Sequence, residues 1–497
     1  MRIYSYSLAW YGAAVLTAAS VRINSHLRFF RRPVIQNQML PRRDVFEQAV
    51  VRKTAYLVTN WRVAALAVFL LAGLSACAPH SVPSASPLPT SAPAPALSPM
   101  AQLGQKLFFE TSLSASGQQS CASCHSPAHG FGPPNELAMQ PGGADMRSVG
   151  SRTAPNLAYL SDTPPFSIGP DDPNDNDNDG DRSRGALHPT LLASVHPATA
   201  KIANKSGGNE ALVAQGGFFW DGRSNTLQQQ ALGPLLNPVE MANANPEEVA
   251  VRLRKLPYIE QLKKLVDPHV LDDDRRLPSY AMFAISRYEM EDPSFHPYDS
   301  KYDAYLRGQV QLSAAEKRGL ELFEDPKKGN CAACHPSQPA ANGRLPLFTD
   351  YQYEALGVPR NSAISANADP DAFDLGICGP SRRDAYARQP QNCGLFKTPS
   401  LRNVARRHAF FHNGRFRTLD EVLHFYVERD TDPGKFYPRG KDSGVEKYDD
   451  LPTQYRGNID TVDAPFDHKP GQQPALNQAE INDVIAFLQT LSDGYRP

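Results

Sequence analysis

Methionine, tryptophan and long apolar runs are scarce in this chain of 497 residues. None of its eight methionines lies beyond Met290, so a metal centre built only from residues 291–497 has no thioether ligand. Of its three tryptophans, only Trp220 lies beyond residue 61. The apolar run from Val63 to Leu74 is too short to favour a membrane-spanning helix.

The first 77 residues are typical of an export leader. Basic residues precede the apolar run, and Leu74-Ser75-Ala76-Cys77 follows it, which predicts a signal peptide. This ending resembles the lipobox of bacterial lipoproteins, so Cys77 is the predicted lipidation site and a membrane anchor is the alternative. We therefore expect a periplasmic protein that meets the membrane through a lipid anchor only. Because the signal starts some fifty residues into the chain, we hypothesise that translation begins at Val50 or Val51.

Residues 78–98 are rich in Pro, Ala and Ser, as in a flexible tether, and folded structure is predicted to start at the N-cap Ser98. Beyond Cys77 the chain holds 41 Lys and Arg against 50 Asp and Glu, a net charge of −9. This balance does not favour nucleic-acid binding. Within the acidic segment Asp171–Asp181, the residues from Asp175 to Gly180 match the start of a calcium loop. Counted from Asp175, Ala186 stands where the twelfth-position Glu belongs, so we interpret the segment as a solvated insertion.

Two motifs account for four of the seven cysteines. Cys121-Ala-Ser-Cys124-His125 and Cys331-Ala-Ala-Cys334-His335 have the CxxCH pattern, in which two thiols attach a haem c covalently and His binds its iron. A bare CxxC could instead be redox-active or bind zinc, but the adjacent His, the duplication and the export signal argue against both. Cys378 and Cys393 remain, and in an exported protein we expect a disulfide between them, with two thiols as the alternative.

The haem motifs belong to an internal repeat. Gly104-Gln-Lys-Leu107-Phe108 leads into the first motif and Gly319-Leu-Glu-Leu322-Phe323 into the second, which lies 210 residues later. Ser313 and Glu316 have capping-box spacing, and so do Asn477 and Glu480 before an apolar helical stripe. We predict a mainly α fold of two cytochrome c-like domains, residues 99–310 and 311–497, joined by long irregular loops.

The ligand opposite His335 cannot be a methionine of its own domain. The candidates there are a tyrosine or one of four histidines, His408, His412, His424 and His468. A haem with both axial positions filled transfers electrons, whereas an open position permits reaction with peroxide.

Three further stretches resemble the bacterial di-haem cytochrome c peroxidase / MauG family. They are LGQKLFFETSLSASGQQSCASCHSPAHGFG around the first motif, FFWDGRSNTLQQQALGPLLNPVEM from Phe218 to Met241, and FKTPSLRNVARRHAFFHNGRFRTLDEVLHFY from Phe396 to Tyr426. The resemblance runs from about residue 100 to the C-terminus.

The resemblance implies roles for particular residues. Trp220 matches the tryptophan between the two haems, although a core role is also open. Gln230, Pro234 and Glu240 match the distal pocket of the first haem, where a carboxylate can move the proton that peroxide cleavage requires. Tyr426 matches the second haem's axial position, which holds Met in the peroxidases and Tyr in MauG-type proteins. A packed Tyr426, with His412 or His424 as the ligand, is the alternative.

The sequence also departs from the family. The segment Ser167–Pro170 lacks the His that blocks the first haem in members needing reductive activation, so we expect that haem to be open. Thr153, Arg407 and Ala409 stand at positions of the family's calcium site, and calcium stays an open cofactor because carbonyl ligands tolerate side-chain changes.

The expected function is an oxidoreductase, a cytochrome-c peroxidase that reduces hydrogen peroxide with electrons from a donor protein such as a small cytochrome c. A basic donor would suit the acidic chain. One alternative is a MauG-like enzyme that oxidises a protein side chain, and another is a di-haem electron carrier without enzymatic activity. The family includes dimers, so a homodimer is an open alternative.

Overall fold

The computed structural model describes residues 96–170, 212–440 and 442–497. Cys77, the leader, most of the tether and the acidic segment Asp171–Asp181 lie outside the described residues. Within the described ranges, none of the helices combines the length and apolarity that a membrane crossing requires.

Helices dominate the regular structure of the described residues. In chain order they are α1 (Pro99–Phe108), α2 (Cys121–Cys124), α3 (Leu227–Leu236), α4 (Pro246–Arg254), α5 (Gln261–Leu265), α6 (Arg276–Glu291), α7 (Lys301–Leu306), α8 (Ala314–Glu324), α9 (Leu419–Glu428) and α10 (Gln478–Gln489). The strands are β1 (Pro141–Gly142), β2 (Ser148–Val149), β3 (Ser167–Pro170), β4 (Leu212–Gln215), β5 (Tyr353–Glu354) and β6 (Phe396–Lys397). They form three antiparallel pairs, β1 with β2, β3 with β4 and β5 with β6.

Side-chain caps start the helices where the sequence predicts them. The Ser98 hydroxyl accepts from the Ala101 N–H, and Pro99 occupies the first turn of α1. Ser313 with Glu316 and Asn477 with Glu480 form the predicted capping boxes of α8 and α10. Each cap satisfies amide groups that have no partner inside the helix, which fixes where the chain turns helical.

The two repeat glycines join each repeat helix to a second helix. A Cβ placed on Gly104 would lie 1.8 Å from the Ala284 carbonyl oxygen, and one on Gly319 would lie 1.9 Å from that of Asp483. Only glycine permits such close backbone approach. As a result α1 packs tightly on α6, and α8 packs in the same way on α10.

Two large hydrophobic cores surround these helix pairs. The first contains buried residues from Leu103 to Phe295, and the second contains buried residues from Tyr302 to Leu491. The α10 stripe belongs to the second core, with Val484 fully buried. The chain changes core between Phe295 and Tyr302, while its division into two domains at residue 310 stays a prediction.

Candidate functional site: two CxxCH motifs and their cavities

The first motif coincides with the single helical turn of α2. Ser120 and Ser123 form a capping box there, and the His125 N–H donates to the Cys121 carbonyl at 2.9 Å. Residues three apart on a helix share a face, so Cys121 and Cys124 project together. Burial raises their thiol pKa values to about 12 and about 11. Burial also lowers the pKa of His125 to about 4, so its imidazole is neutral, as metal ligation requires.

The second motif forms a 3₁₀ turn at Cys331–Ala333. The His335 N–H donates to the Cys331 carbonyl at 2.8 Å, and the His335 Nδ1 lies 2.7 Å from the Phe348 carbonyl oxygen. A backbone carbonyl at Nδ1 fixes the tautomer that leaves Nε2 for a metal. His125 has the same arrangement with the Phe131 carbonyl, at 3.4 Å. Both motifs thus present two thiols and one oriented imidazole.

The second-motif cavity has a volume of about 300 Å³ and is lined by Cys331, Cys334, His335, Tyr426 and largely apolar side chains. Val484 and Leu488 of α10 also line it, so the apolar stripe of that helix faces the second motif. A cavity of this chemistry beside two thiols and an imidazole fits a covalently held haem.

Tyr426 lies at this cavity rather than in the solid core. Its ring stacks on Phe466 with centroids 5.5 Å apart and tilts against Phe411 at 5.8 Å. Burial raises the pKa of its phenol, and the Cys334 and Cys331 thiols raise it further. Tyr426 thus shares one cavity with His335 and with both thiols of the second motif.

Among the four candidate histidines, only His412 also lines this cavity. His412 stacks on Phe396 at 3.6 Å, and the charged groups that influence it are Asp374 and Arg152 rather than the motif cysteines. His424 is held outside the cavity by Glu428 at 3.0 Å and Gln478 at 2.9 Å. The contacts therefore favour Tyr426 over His412 as the axial residue.

The first-motif cavity has a volume of about 50 Å³ and contains the three distal-pocket candidates. Gln230 and Pro234 of α3 line it together with Glu240, which follows α3. The Asn237 amide donates to Glu240 Oε1 at 2.5 Å, and burial raises the pKa of Glu240. Gln230 lines both cavities and so connects the two motifs.

A second acid at the first-motif cavity was missed by sequence reasoning. Glu289 of α6 is buried, and burial raises its pKa to about 8. Glu289 Oε2 and Gln119 Oε1 have no hydrogen-bond partner among the described residues. Unpartnered polar atoms around two thiols fit a cavity whose occupant is a bound group. The one feature of the sequence that could have pointed to Glu289 is a carboxylate beside the apolar residues of α6.

Trp220 lines the second-motif cavity and is fixed at both ends. Its indole Nε1 donates to the Thr153 carbonyl at 3.0 Å, and its own carbonyl accepts from the Lys397 N–H at 2.9 Å. Its neighbour Asp221 is fully buried and pairs with Arg152 at 2.8 Å. Arg152 also binds Asp374, and sequence reasoning missed this bridge because its three members lie far apart in the chain.

The positions compared with a calcium site hold a side-chain cation instead. The Arg407 guanidinium donates to the carbonyls of Ala154 at 3.2 Å and Ala409 at 3.3 Å, and burial lowers its pKa to about 10. A calcium ion bound there would compete with Arg407 for these oxygens. Among the described residues there is also no cluster of three or more His, Cys, Asp or Glu able to hold a metal ion.

Two further predictions concern loops. The structure joins Cys378 and Cys393 in a disulfide. The segment Ser167–Pro170 forms strand β3, which pairs antiparallel with β4 so that Ser167 lies opposite Gln215. His188 and His196, which follow it in the sequence, lie outside the described residues.

Comparison with known proteins identifies the family. Residues 98–311 match the family model described as di-haem cytochrome c peroxidase. The chain is 31% identical over 410 residues to the methylamine utilization protein MauG of Paracoccus denitrificans, which covers 80% of this chain and 90% of the relative. It is 27% identical to a cytochrome-c peroxidase of Pseudomonas sp. (strain SCT), with 86% and 90% covered.

A solved structure gives the same result. The crystal structure of the diheme peroxidase BthA from Burkholderia thailandensis matches with a TM-score of 0.66 and 34% identity, covering 80% of this chain and 87% of that one. The chain therefore belongs to the di-haem cytochrome c peroxidase family, which includes MauG, and it is an oxidoreductase.

Proposed function

We propose that this protein reduces hydrogen peroxide to water at the first CxxCH motif, with electrons that an external donor delivers through the second. The observation that carries the proposal is the inequality of the two cavities. The first is lined by the carboxyl group of Glu240 and the amide of Gln230, whereas the second is lined by Tyr426 and largely apolar side chains.

The cofactors proposed are two covalent haems c, one on Cys121 and Cys124 with His125, and one on Cys331 and Cys334 with His335. When bound, they supply the iron that takes up peroxide and the sites that store oxidising equivalents. The reaction consumes one hydrogen peroxide, two electrons and two protons and yields two water molecules.

Glu240 is the residue proposed to move a proton between the two peroxide oxygens. Asn237 holds Oε1 and leaves the other carboxyl oxygen for this task. A burial-raised pKa brings the group closer to neutral pH, where an acid can both give and take a proton. Gln230 supplies an amide for orienting peroxide, and Pro234 closes the apolar side of the same cavity.

Trp220 is the proposed relay between the two centres. Its ring lines the second-motif cavity, and Gln230 connects that cavity to the first. The indole hydrogen bond to the Thr153 carbonyl holds the ring, and the backbone bond from Lys397 holds the main chain of Trp220, which together favour electron transfer without rearrangement.

Oxidation of a protein side chain, as an alternative to donor turnover, has specific support. Tyr426 lies at the position that is Tyr in MauG-type proteins, and a MauG is the 31% identical relative. A di-haem electron carrier is disfavoured, because a carrier has no use for buried acid–base groups beside one haem.

Export and anchoring remain proposals. The sequence Leu74-Ser75-Ala76-Cys77 supports a periplasmic protein lipidated on Cys77, which mass spectrometry of the mature N-terminus would test directly. An unmodified Cys77 in the mature protein, or a retained leader, would remove the anchor.

The Glu240→Gln variant tests the proposed chemistry. It keeps the size of the side chain and the Asn237 contact but cannot exchange a proton, so the stopped-flow rate of reaction with peroxide should fall by about 10²–10⁴-fold. The exposed Glu247→Gln variant is the matched control and should react at the normal rate. A normal rate in Glu240→Gln would remove this residue from the mechanism.

A further inference from the structure

We infer that Tyr159 is a redox-active residue, which would lose one electron to the haem in the second-motif cavity and its phenol proton to Asp493. The inference rests on the proposed function, because peroxide supplies the oxidising equivalent. Tyr159 lines the second-motif cavity, and its hydroxyl donates to Asp493 Oδ1 at 2.6 Å. Both side chains are buried, so water cannot take the proton in place of the carboxylate.

Asp493 is suited to accept this proton. Its side-chain donors are neutral, Tyr159 at one oxygen and the Asn403 amide at the other, at 2.6 Å. Burial raises its pKa, which makes the carboxylate a stronger base. The nearby guanidinium of Arg402 pairs with Asp303 through two hydrogen bonds of 2.8 and 2.9 Å, and it also donates to the Tyr159 hydroxyl oxygen at 3.4 Å.

Arg402 couples the loss of an electron from Tyr159 to the loss of its phenol proton. Its guanidinium lies 4.6 Å from the ring centres of both Tyr159 and Tyr298. A fixed positive charge at this distance disfavours a second positive charge on either ring. When Tyr159 is oxidised, its O–H bond therefore breaks and an O–H bond forms on Asp493. One electron leaves Tyr159 for the haem in the second-motif cavity.

Tyr298 gives this residue a route towards the surface. The two rings meet edge to face with centroids 4.9 Å apart, and the half-buried Tyr298 reaches Asp162 with its hydroxyl at 3.5 Å. An oxidising equivalent on Tyr159 can thus pass to Tyr298 without crossing the haem cavity again. This places an oxidisable pair between the reaction centre and an external reductant.

Two other tyrosines, Tyr448 and Tyr258, lack this combination. Tyr448 also lines the cavity, but its hydroxyl is 3.3 Å from Asp430, whose carboxylate already binds Arg429 and Lys447. Tyr258 donates to Glu110 at 2.8 Å but lines neither cavity. Tyr258 is therefore a matched control, a tyrosine–carboxylate pair without access to the haem.

Rapid-freeze electron paramagnetic resonance of the all-ferric holoprotein, mixed with hydrogen peroxide, tests the inference. We expect a tyrosyl radical that narrows when the tyrosine rings are deuterated. Tyr159→Phe should lose most of this signal, Asp493→Asn should reduce it with the phenol still present, and Tyr258→Phe should keep it. Haem content and resting spectra establish that each variant folds. If Tyr159→Phe does not fold, the radical signal of Asp493→Asn decides whether the inference stands.

Haem absorbance recorded on the same samples distinguishes failure of the redox role of Tyr159 from failure of the peroxidase proposal. If the haems react but no tyrosyl radical forms, or if the radical survives in Tyr159→Phe or is unchanged in Asp493→Asn, the redox role is wrong and the peroxidase proposal stands. Equal loss in Tyr159→Phe and Tyr258→Phe would also overturn the redox role. If the haems do not react with peroxide, the peroxidase proposal fails and the redox role fails with it.

Discussion

At the scale of single residues, the two CxxCH motifs are alike and their surroundings are not. Both motifs orient a neutral imidazole through a backbone carbonyl, Phe131 for His125 and Phe348 for His335. The residues across each cavity differ, with Glu240 at the first and Tyr426 at the second. Since axial ligands and distal groups decide whether a haem transfers electrons or activates peroxide, this difference supports the two proposed roles.

Changing Tyr426 to Phe should alter the second haem alone. Loss of the phenolate removes the proposed axial ligand, so the absorption and electron paramagnetic resonance signals of that haem should change while those of the first stay constant. Tyr305→Phe is the control, because Tyr305 packs against the same core but does not line the cavity. An unchanged second haem in Tyr426→Phe would return His412 as the candidate ligand.

Glu289 should make stability fall as pH rises. Its folded pKa of about 8 exceeds the ordinary value of 4.5, so between these values the folded state holds a proton that the unfolded state has released. Stability therefore decreases from about pH 4.5 to about pH 8, by at most about 1.4 kcal/mol per pH unit. Glu289→Gln should flatten this dependence in denaturant unfolding measured at several pH values, whereas Glu247→Gln should keep it. An equal slope in both variants would show that Glu289 titrates normally.

At the scale of helices and strands, sequence reasoning succeeded where the determining contacts are local. The caps at Ser98, Ser313 and Asn477 lie within three residues of the amides they satisfy, so they can be recognised from spacing alone. The repeat glycines were visible as a pattern, but their purpose was not. The contacts of Gly104 with Ala284 and of Gly319 with Asp483 join positions more than 160 residues apart.

The residues of the candidate site likewise fall into those that the sequence predicts and those that it does not. Covalent haem attachment is predicted from five consecutive residues, and the roles of Tyr426 and Glu240 are predicted from a family resemblance. The structure places both of these side chains at the cavities. Glu289, the Arg152 bridge and the Tyr159–Asp493 bond were not predicted. Each depends on a tertiary contact between residues that are far apart in the chain.

The hairpin β1–β2 positions Glu240, and Gly142 is its sensitive point. A Cβ on Gly142 would lie 2.3 Å from the Val239 carbonyl oxygen and 2.9 Å from the Glu240 Cα, so Gly142→Ala must displace this backbone. We expect slower reaction with peroxide at unchanged haem content, by roughly tenfold or more, since small misplacement of a catalytic group is costly.

Gly150→Ala is the matched control for that variant. Its added Cβ meets Val239 Cγ2 at 3.6 Å, an ordinary van der Waals contact beside the same hairpin. Stopped-flow rates should therefore be normal in Gly150→Ala. A normal rate in Gly142→Ala as well would show that the hairpin does not set the position of Glu240.

At the scale of the whole molecule, two helix pairs and two cores surround a pair of cavities that share Gln230 and Leu157. Trp220 lies on the second-motif side of this shared boundary, and Tyr159 lies on the same cavity with a contact to the half-buried Tyr298. Among the described residues, these contacts supply the proposed connection between the two centres and the proposed connection towards the surface. Buried ion pairs such as Arg402 with Asp303 keep these connections in fixed positions.

The proposed function requires a first haem that is open to peroxide and a second haem that is not. Peroxide titration of the all-ferric holoprotein, with and without a reduced small cytochrome c, tests this requirement. We expect an immediate change in haem absorbance without prior reduction, followed by oxidation of two cytochrome c molecules per peroxide. An all-ferric protein that ignores peroxide and reacts only after reduction would contradict it, because a ligand would then close the first haem.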